Sequence, residues 1–531
     1  MFSLITWSFA GLASVPAGFG GFGLPPQSGD CIPAHERQRI EENIRQFSAS
    51  FREPQLAATP TPASYPFIPM AGTAWLDRFI NNFVDLNPEP GLIRDWDCTD
   101  FTYDGHLGHD LLLRTFGEQD IGVPIFAALD GVVTDWHDGE PDRNTSLENR
   151  PANYVILFHG GTHYTHYFHL RRGSVTVTNG QTVHAGQQIG LAASSGYSNW
   201  PHLHFESRNN GFVYEPSQGP CRPGTSRWVN QIPIPRHTWI EYFAMHGETA
   251  FPAENFFPNE PPRTGTFVRT GTFQRIGAWY IVHNQTANST WRAHYRRPDG
   301  TTFYDSGTQS FNNPLYRWAN WWFWYGLNPD IAGTWTLEFS INGQLMVTAP
   351  FTVLNAGSVP VNRPPNPVAA AFDPVWPTTN DAIFCRISES LLADPDYDPV
   401  RFRFEWTVNG TLVRHVTNAA YSDALQRALA QAGDIVTCRV TPSDGQTFGL
   451  PTVVQTVIAG GGPRLTIARH TDRVVLSWPT SLVNYVVQSN TNLVSPNGWS
   501  TMVGAPATVG GNHWLTNLID GGSRAFRLIW P

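Results

Sequence analysis

The sequence predicts a multidomain chain dominated by β-structure. Its 531 residues are too many for one hydrophobic core and are enough for about three to five domains. A charged fraction of 15%, an aromatic fraction of 13%, 47 glycines and 43 prolines are typical of many short strands separated by turns. We therefore expect several β-domains in series, with helices as a minor component.

The N-terminal region is expected to contain the main exception. Residues 1 to 18 are apolar and end in small residues without a preceding positive region, and we interpret them as a degenerate or truncated secretory signal. Residues 19 to 68 are predicted to form a helix and a linker. Apolar residues recur at helical spacing among charges from 33 to 51, whereas 53 to 68 are rich in Pro, Ala and Thr.

Residues 69 to 250 are predicted to form a β-domain. Alternation and β-branched residues predict strands in three stretches, with Gly and Asp at the turns between them. These stretches are Gly122 to Val133, Asn153 to Phe158 and Tyr164 to Leu170.

Two short histidine motifs in this domain predict a metal site. His202 and His204 are two residues apart, so an extended chain points both imidazoles to one face. His106 and Asp110 are an even number of residues apart, and on a strand they would also share a face. Either motif alone is more often a structural or surface pair. Together they match a catalytic zinc site with three protein ligands and one position left for water.

Residues from about Asp97 to Gln231 resemble the lysostaphin-type zinc endopeptidases, which cleave peptide bonds in bacterial cell-wall peptidoglycan. Six matching elements occur in order with suitable gaps. They are the HxGxD run at His106, Gly108 and Asp110, the Ala-Leu-Asp-Gly-Val turn, the run from Tyr167 to Leu170, the run from Val183 to Gly190, Ser194-Ser195-Gly196, and HLHFE ending at Glu206.

The resemblance implies that His106, Asp110 and His204 ligate Zn²⁺, while His169 and His202 stand close to the metal-bound water as catalytic residues. Zinc lowers the pKa of bound water to about 7 and polarises the scissile carbonyl. The neighbouring imidazoles can accept the water proton, donate to the leaving amine, or hydrogen-bond the oxyanion. The sequence leaves open which histidine does which.

Other polar residues near the motifs have less specific interpretations. His109 alternates to the face opposite Asp110, and ordinary hydrogen-bonding or surface roles are expected for it and for His159, His163, His166 and His184. Asp104 and Glu206 are either partners that orient the ligand histidines or solvent-facing carboxylates.

Several other function classes are disfavoured. Ser194-Ser195-Gly196 is not a nucleophile elbow, and none of the 34 basic residues is a lysine, which excludes a P-loop. A net charge of −9 offers no basic footprint, so we expect no nucleic-acid partner. No apolar stretch reaches 18 residues, so we expect no membrane span.

The five cysteines suggest an oxidising compartment. Cys385 and Cys438 flank Trp406 with the spacing of an immunoglobulin-like inter-sheet disulfide, although two buried free thiols are the alternative. Cys98 and Cys221 bracket the metal motifs, and a bridge between them is also what the resemblance to secreted relatives implies. Cys31 is then the odd cysteine, either free or bridged elsewhere.

Three β-modules are predicted downstream, at 251 to 358, 359 to 459 and 460 to 531, separated by Pro-rich or Gly-rich breaks. In the first, the aromatic run from Tyr316 to Tyr325 is either a sugar-stacking platform or, more often, sandwich core. The second resembles immunoglobulin-like repeats of bacterial surface proteins. The third is a small β-module, with attachment or secretion as a candidate role. The second module also has three carboxylates at alternate positions, Asp394, Asp396 and Asp398. They either bind Ca²⁺ or form a solvated turn.

The sequence therefore predicts a secreted, cell-surface or periplasmic bacterial metallopeptidase with a peptidoglycan peptide as substrate and possible glycan contacts through the accessory modules. The alternatives are a non-hydrolytic wall or glycan binder, and a peptidase acting on a non-wall protein. Since no residue after about 250 matches the metal motifs, a fragment from Pro69 to Pro235 is expected to fold and cleave soluble peptides alone.

Overall fold

The structure is a computed structural model that describes most of the chain. The described residues are 17–23, 31–50, 64–247, 262–388, 392–460, 465–469, 473–479, 485–491, 498–502, 504, 506–509, 512–518 and 524–529. Three predicted segments lie mostly outside the described residues. They are the signal segment, of which only residues 17 and 18 are described, the linker, and the Pro-rich break after 250. The described part is nearly all β, which confirms the predicted fold class.

A mixed-length antiparallel sheet forms the centre of the 64–247 region. Its strands follow the spatial order β2-β3-β10-β7-β6-β5-β8, with β11 paired to β10, and β4 pairs β9 separately. The elements are β2 Phe79–Asn82, β3 His109–Leu112, α2 Phe116–Ile121, β4 Pro124–Phe126, β5 Gly131–His137, β6 Tyr154–Phe158, β7 His163–Phe168, β8 Thr182–Val183, β9 Gln188–Leu191, β10 His202–Asn209 and β11 Phe212–Val213. The strands predicted from alternation are therefore confirmed, with shifted ends.

The two faces of this sheet differ in the side chains they carry. One face is apolar and packs into the main core through fully buried side chains such as Leu203, Phe205 and Tyr167. Residues one position away point to the other face, which carries His204 on β10 and Asp110 on β3. The hydrophobic core thus fixes the strands that hold the polar site.

The predicted N-terminal helix is present as α1, Ala34–Ser50. It lies over the face of the sheet that carries His204. Ile32 and Ile40 pack there against Tyr154, Ile156 and Phe168 of β6 and β7. Residues 64 to 68, assigned to the linker from composition, belong to the packed domain, because Tyr65 is buried and bridges to Trp228.

The next module consists of two mainly antiparallel sheets around an aromatic core. One has the order β1-β18-β14-β12, and the other β13-β20-β19-β15-β16 with β17 on β15 and a parallel β13–β20 pair. Their bounds are β1 Ala17–Gly23, β12 Trp239–His246, β13 Thr266–Val268, β14 Gln274–Gln285, β15 Thr290–Arg296, β16 Thr302–Asp305, β17 Gln309–Ser310, β18 Tyr316–Leu327, β19 Gly333–Ile341 and β20 Gln344–Leu354.

The aromatic run on β18 is part of the sandwich core, which is the commoner of its two interpretations, and not a sugar-stacking platform. Trp321 and Phe323 are buried between the sheets, and Phe19 of β1 stacks on Trp321 at 5.1 Å between ring centroids. Gly18 and Gly20 of β1 lie flat against the rings of Trp324 and Trp322, where a Cβ would approach ring atoms to 2.4 and 2.8 Å. Glycine at these two positions lets an N-terminal strand pair with a strand three hundred residues away.

The second module has a three-stranded sheet, β21-β22-β25, and a four-stranded sheet, β24-β23-β26-β27. The strands are β21 Ala370–Asp373, β22 Ile383–Ile387, β23 Arg401–Val408, β24 Thr411–Asn418, β25 Ser422–Leu425, β26 Ile435–Ser443 and β27 Thr452–Val457. Cys385 and Cys438 lie in different sheets, as the immunoglobulin-like spacing predicts, but both are free, buried thiols. The expected disulfide here is therefore not formed.

The carboxylates at the start of this module make a hydrogen-bonded turn. Asp394 Oδ1 accepts from the backbone amides of Asp396 and Asp398 at 2.8 and 3.2 Å. Asp396 forms an ion pair with Arg363, in which Arg363 Nη2 lies 2.7 Å from Asp396 Oδ1. Because Asp396 is paired with an arginine, the turn is the interpretation that the geometry favours over a calcium site.

The last module has two small sheets, β28-β29-β33-β32 and β31-β30-β34, around Leu476, Trp478, Val487 and Leu515. Its strands are β28 Thr466–Arg469, β29 Arg473–Pro479, β30 Val486–Asn490, β31 Ser500–Thr501, β32 Ala507–Val509, β33 Asn512–Leu518 and β34 Ala525–Ile529. It belongs to the smaller of two compact units, 378–380, 430–434 and 457–531; the larger comprises 1–377, 381–429 and 435–456.

The larger unit joins the 69–250 region to the two modules that follow it. Strand β12 lies inside the predicted first domain but pairs with β14 of the next module. Arg114 donates to Tyr421 Oη at 3.0 Å, and the Tyr421 amide donates to Asp77 Oδ2 at 2.7 Å. One hydrophobic core spans all three regions. The independent folding expected for a Pro69 to Pro235 fragment conflicts with this packing, and the predicted domain boundaries inside the unit stay predictions.

One further sequence expectation has a structural counterpart. Cys98 and Cys221 form a disulfide with their Cα atoms 5.1 Å apart, as predicted. Among the helices of the described residues, none is long and apolar enough to span a membrane.

Candidate metal centre

The three proposed metal ligands converge on one face of the central sheet. His204 and Asp110 are direct neighbours across the β10–β3 pair, and His204 Nδ1 lies 2.8 Å from Asp110 Oδ1. His106 Nε2 lies 3.2 Å from His204 Nδ1 and 3.1 Å from Asp110 Oδ1. All three residues are buried. Contrary to the expectation of a shared strand, His106 lies in the loop before β3 and reaches the site from there.

Hydrogen bonds on the outer side of each group fix which atom faces inward. His106 Nδ1 is 2.7 Å from the Phe83 carbonyl, and His204 Nε2 is 3.1 Å from Glu206 Oε1. Both oxygens are acceptors, which places the proton on those outer nitrogens and leaves the lone pairs of His106 Nε2 and His204 Nδ1 directed inward. Asn82 donates to Asp110 Oδ2 at 2.8 Å.

A fourth donor stands at the same point. Cys31 Sγ lies 3.2 Å from His204 Nδ1, and the four donor atoms of Cys31, His106, Asp110 and His204 are all within 4.8 Å of one another. Donor atoms of a tetrahedral zinc site, at roughly 2.0 to 2.3 Å from the ion, are about 3.3 to 3.6 Å apart. The donor types fit zinc, and the distances of 2.8 to 3.2 Å between His204 Nδ1 and the other three donors would widen by about half an ångström to reach this spacing. Sequence reasoning left the partner of Cys31 open, and the odd cysteine count was the only signal.

The buried Asp110 carboxylate dominates the electrostatics of the site. Burial would raise its pKa, but His106 and His202 lower that pKa well below the usual range, so Asp110 is ionised. Burial would likewise lower the pKa of His106, yet the adjacent Asp110 raises it to about 9. The anionic Asp110 carboxylate that favours a proton on His106 would equally favour a metal cation in place of that proton, with His106 then neutral and its Nε2 lone pair free to bind.

His169 and His202 stand beside this cluster with their rings 4.4 Å apart between centroids. His169 Nδ1 lies 2.6 Å from the Ser195 carbonyl, and His202 Nδ1 lies 2.8 Å from the Trp200 carbonyl. Within the described part of the chain, neither Nε2 has a hydrogen-bond partner. Burial lowers the pKa of both imidazoles, so both are neutral near pH 7.

His169 is also held in an uncommon backbone conformation. Its φ is 64°, in the left-handed region that non-glycine residues rarely adopt. The Ala193 amide donates to its carbonyl at 3.0 Å. Strain of this kind, about 1 to 3 kcal/mol, persists where the surroundings hold a side chain in a required direction. Here the consequence is an imidazole facing His202.

Glu206 is the centre of an ion-pair network behind the site. Its Oε1 lies 2.8 Å from Arg37 of α1, and its Oε2 lies 2.7 Å from Arg208 Nε. Burial would raise the pKa of Glu206, but the two arginines lower it well below the usual range. Glu206 is therefore a partner that orients His204 and not a solvent-facing carboxylate. His166 lies 3.4 Å from Glu206 Oε2 on the same face.

Two of the remaining polar residues have clear places. His109 faces away from the cluster, as expected, and its Nε2 lies 2.9 Å from Glu215 Oε1. Its role is structural. Asp104 contacts neither ligand histidine; it lies in the wall of the neighbouring cavity.

That cavity of about 600 Å³ opens beside Asp110 and His202. One side is formed by the 64–247 region and the other by the start of β18, where Trp200 and Trp318 approach to 5.1 Å between centroids. The lining comprises Asn81, Asn82, Ile93, Asp100, Thr102, Tyr103, Asp104, Asp110, Leu112, Asn199, Trp200, His202, Pro314, Leu315, Tyr316, Arg317 and Trp318. No sequence pattern predicted that the first downstream module borders the site.

Comparisons with known proteins match this part of the chain. Residues 107–216 match the model of peptidase family M23. The chain is 39% identical over 88 residues to peptidoglycan DD-endopeptidase ShyA of Vibrio cholerae, covering 16% of this chain and 17% of that protein. It is 33% identical over 118 residues to the glycyl-glycine endopeptidase ALE-1 of Staphylococcus capitis, covering 22% and 28%.

A comparison with solved structures gives a further similarity. The catalytic domain of lysostaphin from Staphylococcus simulans aligns with 24% identity and a TM-score of 0.18, covering 27% of this chain and 89% of that one. The chain spans less than a third of the length of the two curated relatives named above. The matched stretch includes Asp110, His169, His202 and His204, and His106 directly precedes it. Residues 107–216 thus form a peptidase family M23 domain.

Proposed function

We propose that the chain is a zinc-dependent metalloendopeptidase that hydrolyses peptide bonds in peptidoglycan cross-links. The main support is the convergence of His106, Asp110 and His204 next to two buried histidines whose Nε2 atoms make no hydrogen bond within the described residues. The substrate class is supported by the curated relatives, which are named for peptidoglycan or glycyl-glycine cleavage.

The proposal assigns the metal to three side chains and proton transfer to two others. His106 Nε2, Asp110 Oδ1 and His204 Nδ1 would hold the zinc, which when bound supplies Lewis acidity, lowering the pKa of water to about 7 and polarising the scissile carbonyl. His169 and His202 each donate Nδ1–H to a backbone carbonyl, so each offers an Nε2 lone pair.

These two imidazoles have complementary tasks in peptide hydrolysis. One accepts a proton from the attacking water at Nε2, and the resulting imidazolium can return it to the leaving amine. The other can take up a proton from solvent at Nε2 and then donate a hydrogen bond to the oxygen on which negative charge develops. His202 lines the cavity beside Asp110, so an extended substrate bound in that cavity would lie next to its Nε2.

The cavity and the disulfide support the substrate and the compartment. Its walls combine amide and carboxylate side chains such as Asn82, Asn199 and Asp104 with aromatic rings, a mixture suited to a polar peptide. The Cys98–Cys221 disulfide is typical of a protein that works in an oxidising compartment. We therefore place the enzyme outside the cytoplasm, secreted, periplasmic or at the cell surface.

Digestion of purified peptidoglycan, followed by mass spectrometry of the released fragments, tests the proposal. Because the Cys31 thiol stands at the fourth donor position, the natural chain and Cys31→Ser are both assayed with one equivalent of zinc. New peptide termini are expected, and His204→Ala should release none. His184→Gln, at a half-exposed position, is the matched control and should cleave normally.

The same assay separates the alternatives. Sedimentation with peptidoglycan without any new termini, in both the natural chain and Cys31→Ser, would indicate a non-hydrolytic binder. Cleavage of soluble glycine-rich protein but not of peptidoglycan would indicate a non-wall substrate.

A further inference from the structure

The site described above contains one donor that the hydrolytic mechanism does not use, the Cys31 thiol. It is buried, with 3% of its surface exposed, and it forms no disulfide. A catalytic zinc site keeps one position open for water, whereas four protein donors are the mark of a closed, structural site. Cys31, His106, Asp110 and His204 together make such a closed set.

We propose that Cys31 is the fourth zinc ligand, and that residues 31–50, the N-terminal segment, hold the enzyme latent until they withdraw. The inference rests on the proposed function for the meaning of latency, although the ligand assignment can be tested without it. A thiolate and the Asp110 carboxylate together balance the two positive charges of zinc, which is favourable for an ion in a buried site.

The N-terminal segment is docked on the face that carries the ligands. Residues paired across neighbouring strands share a face, and His204 pairs with Phe168 while His166 pairs with Ile156. Ile32 and Ile40 pack on Phe168 and Ile156 in a small apolar cluster. The segment therefore covers the sheet surface immediately next to the metal centre, where a substrate approaching from that side would lie.

Polar contacts fix the segment along its length. The Ala152 amide donates to the buried Glu36 carboxylate at 3.1 Å, and Asn43 donates to Asp135 Oδ2 at 3.0 Å. Arg37 pairs with Glu206, the same carboxylate that orients His204. Withdrawal of the segment would thus remove the thiol and also one of the two arginines on Glu206, linking the state of the segment to the metal centre.

Zinc-edge X-ray absorption on the full-length chain with one zinc tests the ligand assignment directly. One sulfur at about 2.3 Å is expected in the natural chain and none in Cys31→Ser. Cobalt substitution gives a second readout, because a thiolate ligand adds a near-ultraviolet charge-transfer band. Cys385→Ser, which removes a buried free thiol in the second module, is the matched control and should keep both signals.

Peptidoglycan cleavage tests latency. Cys31→Ser should cleave faster than the natural chain, on the order of tenfold or more, because the competent state is no longer a minor population. Ile40→Glu keeps every donor but disrupts docking of the segment, since Ile40 is 2% exposed. It should lose part of the sulfur signal and gain activity. An unchanged sulfur signal and rate in folded Ile40→Glu would show that docking does not hold the thiol.

The outcomes for the two proposals are separable. A zinc site with only nitrogen and oxygen ligands in the natural chain would overturn the Cys31 assignment, whether or not the chain cleaves peptidoglycan. A sulfur that disappears in Cys31→Ser, with no cleavage by either protein, would support the ligand and overturn the proposed function. Equal cleavage rates in the two proteins would overturn latency.

Discussion

His204 and Asp110 face each other directly across two antiparallel strands, with His204 Nδ1 2.8 Å from Asp110 Oδ1. A one-residue slip of β10 against β3 would turn His204 into the apolar core. Leu203 and Leu111, the neighbouring pair on the opposite face, are buried in the core and fix the register of the two strands. This register is what brings His204 and Asp110 together.

Replacement of a ligand should remove the metal. In a background of Cys31→Ser, His106→Ala, Asp110→Ala and His204→Ala should each weaken zinc binding by more than about 100-fold, since losing an outer partner already costs about 10- to 100-fold. Elemental analysis after dialysis against a weak chelator measures the effect. A tightly bound equivalent of zinc in the Asp110→Ala protein would contradict the ligand assignment, and His184→Ala should retain its zinc.

Loss of a proton-transfer residue should separate binding from catalysis. His169→Ala and His202→Ala should keep one zinc but lose on the order of 10²-fold or more in cleavage rate. The comparison is made in the Cys31→Ser background, with zinc content measured on the same samples. Near-normal turnover in either variant, or loss of zinc, would be inconsistent with the roles proposed here.

Glu206 should act on zinc affinity through His204. Glu206→Gln replaces the charged acceptor of His204 Nε2, and the expected cost is about 10- to 100-fold in zinc affinity. Competition with a chromophoric chelator measures it. Because Arg37 and Arg208 also lose their anion, Glu206→Asp serves as the charge-conserving comparison and should recover part of the affinity. Wild-type affinity in Glu206→Gln would rule out this role.

The first module should contribute to the folding of the peptidase domain. Trp318 is 3% exposed and packs against Trp200, so Trp318→Ala should destabilise the larger unit by about 3 to 5 kcal/mol. Trp376→Ala is the matched control, because Trp376 is 82% exposed. Urea unfolding followed by tryptophan fluorescence compares the two. A Pro69 to Pro235 fragment as stable as the full chain would disprove this dependence.

Sequence reasoning was most successful where local pattern determines local structure. The two-residue spacing of His202 and His204 requires only that the segment be a strand, and β10 satisfies it. The alternation around Asn153 to Phe158 predicted β6 for the same reason. The positions of His169 and His202 followed from the resemblance, and their detailed roles stay proposals.

The parts that could not be predicted depend on contacts between distant segments. Cys31 is 173 residues from His204 in the chain, and nothing in its local sequence indicates which cluster it joins. The pairing of β1 with β18 likewise depends on glycines that fit tryptophans presented by a remote strand. His106 was placed on a strand from its spacing to Asp110, but the loop at Tyr103 to Gly108 delivers it instead.

Stability should fall in mild acid, in part through His246. Burial lowers the pKa of His246 to about 4, despite its hydrogen bond to the Phe323 carbonyl. Since the unfolded value is about 6.5, its contribution is complete above that pH and is progressively lost as the pH falls towards 4, by about 2 kcal/mol at pH 5. In His246→Gln the difference between the urea midpoints at pH 7 and pH 5 should become smaller, while the part due to other buried histidines such as His159 remains. The exposed His415→Gln should keep the natural pH dependence.

Digestion of peptidoglycan in H₂¹⁸O by the zinc-loaded Cys31→Ser chain tests the central claim most directly. The account predicts one ¹⁸O in each newly formed carboxyl terminus, matched by an equal number of new amino termini, and none of either with His204→Ala in the same background. Fragments without ¹⁸O, or no new termini from a folded protein that holds one zinc, would contradict the assignment of the site as a peptide hydrolase.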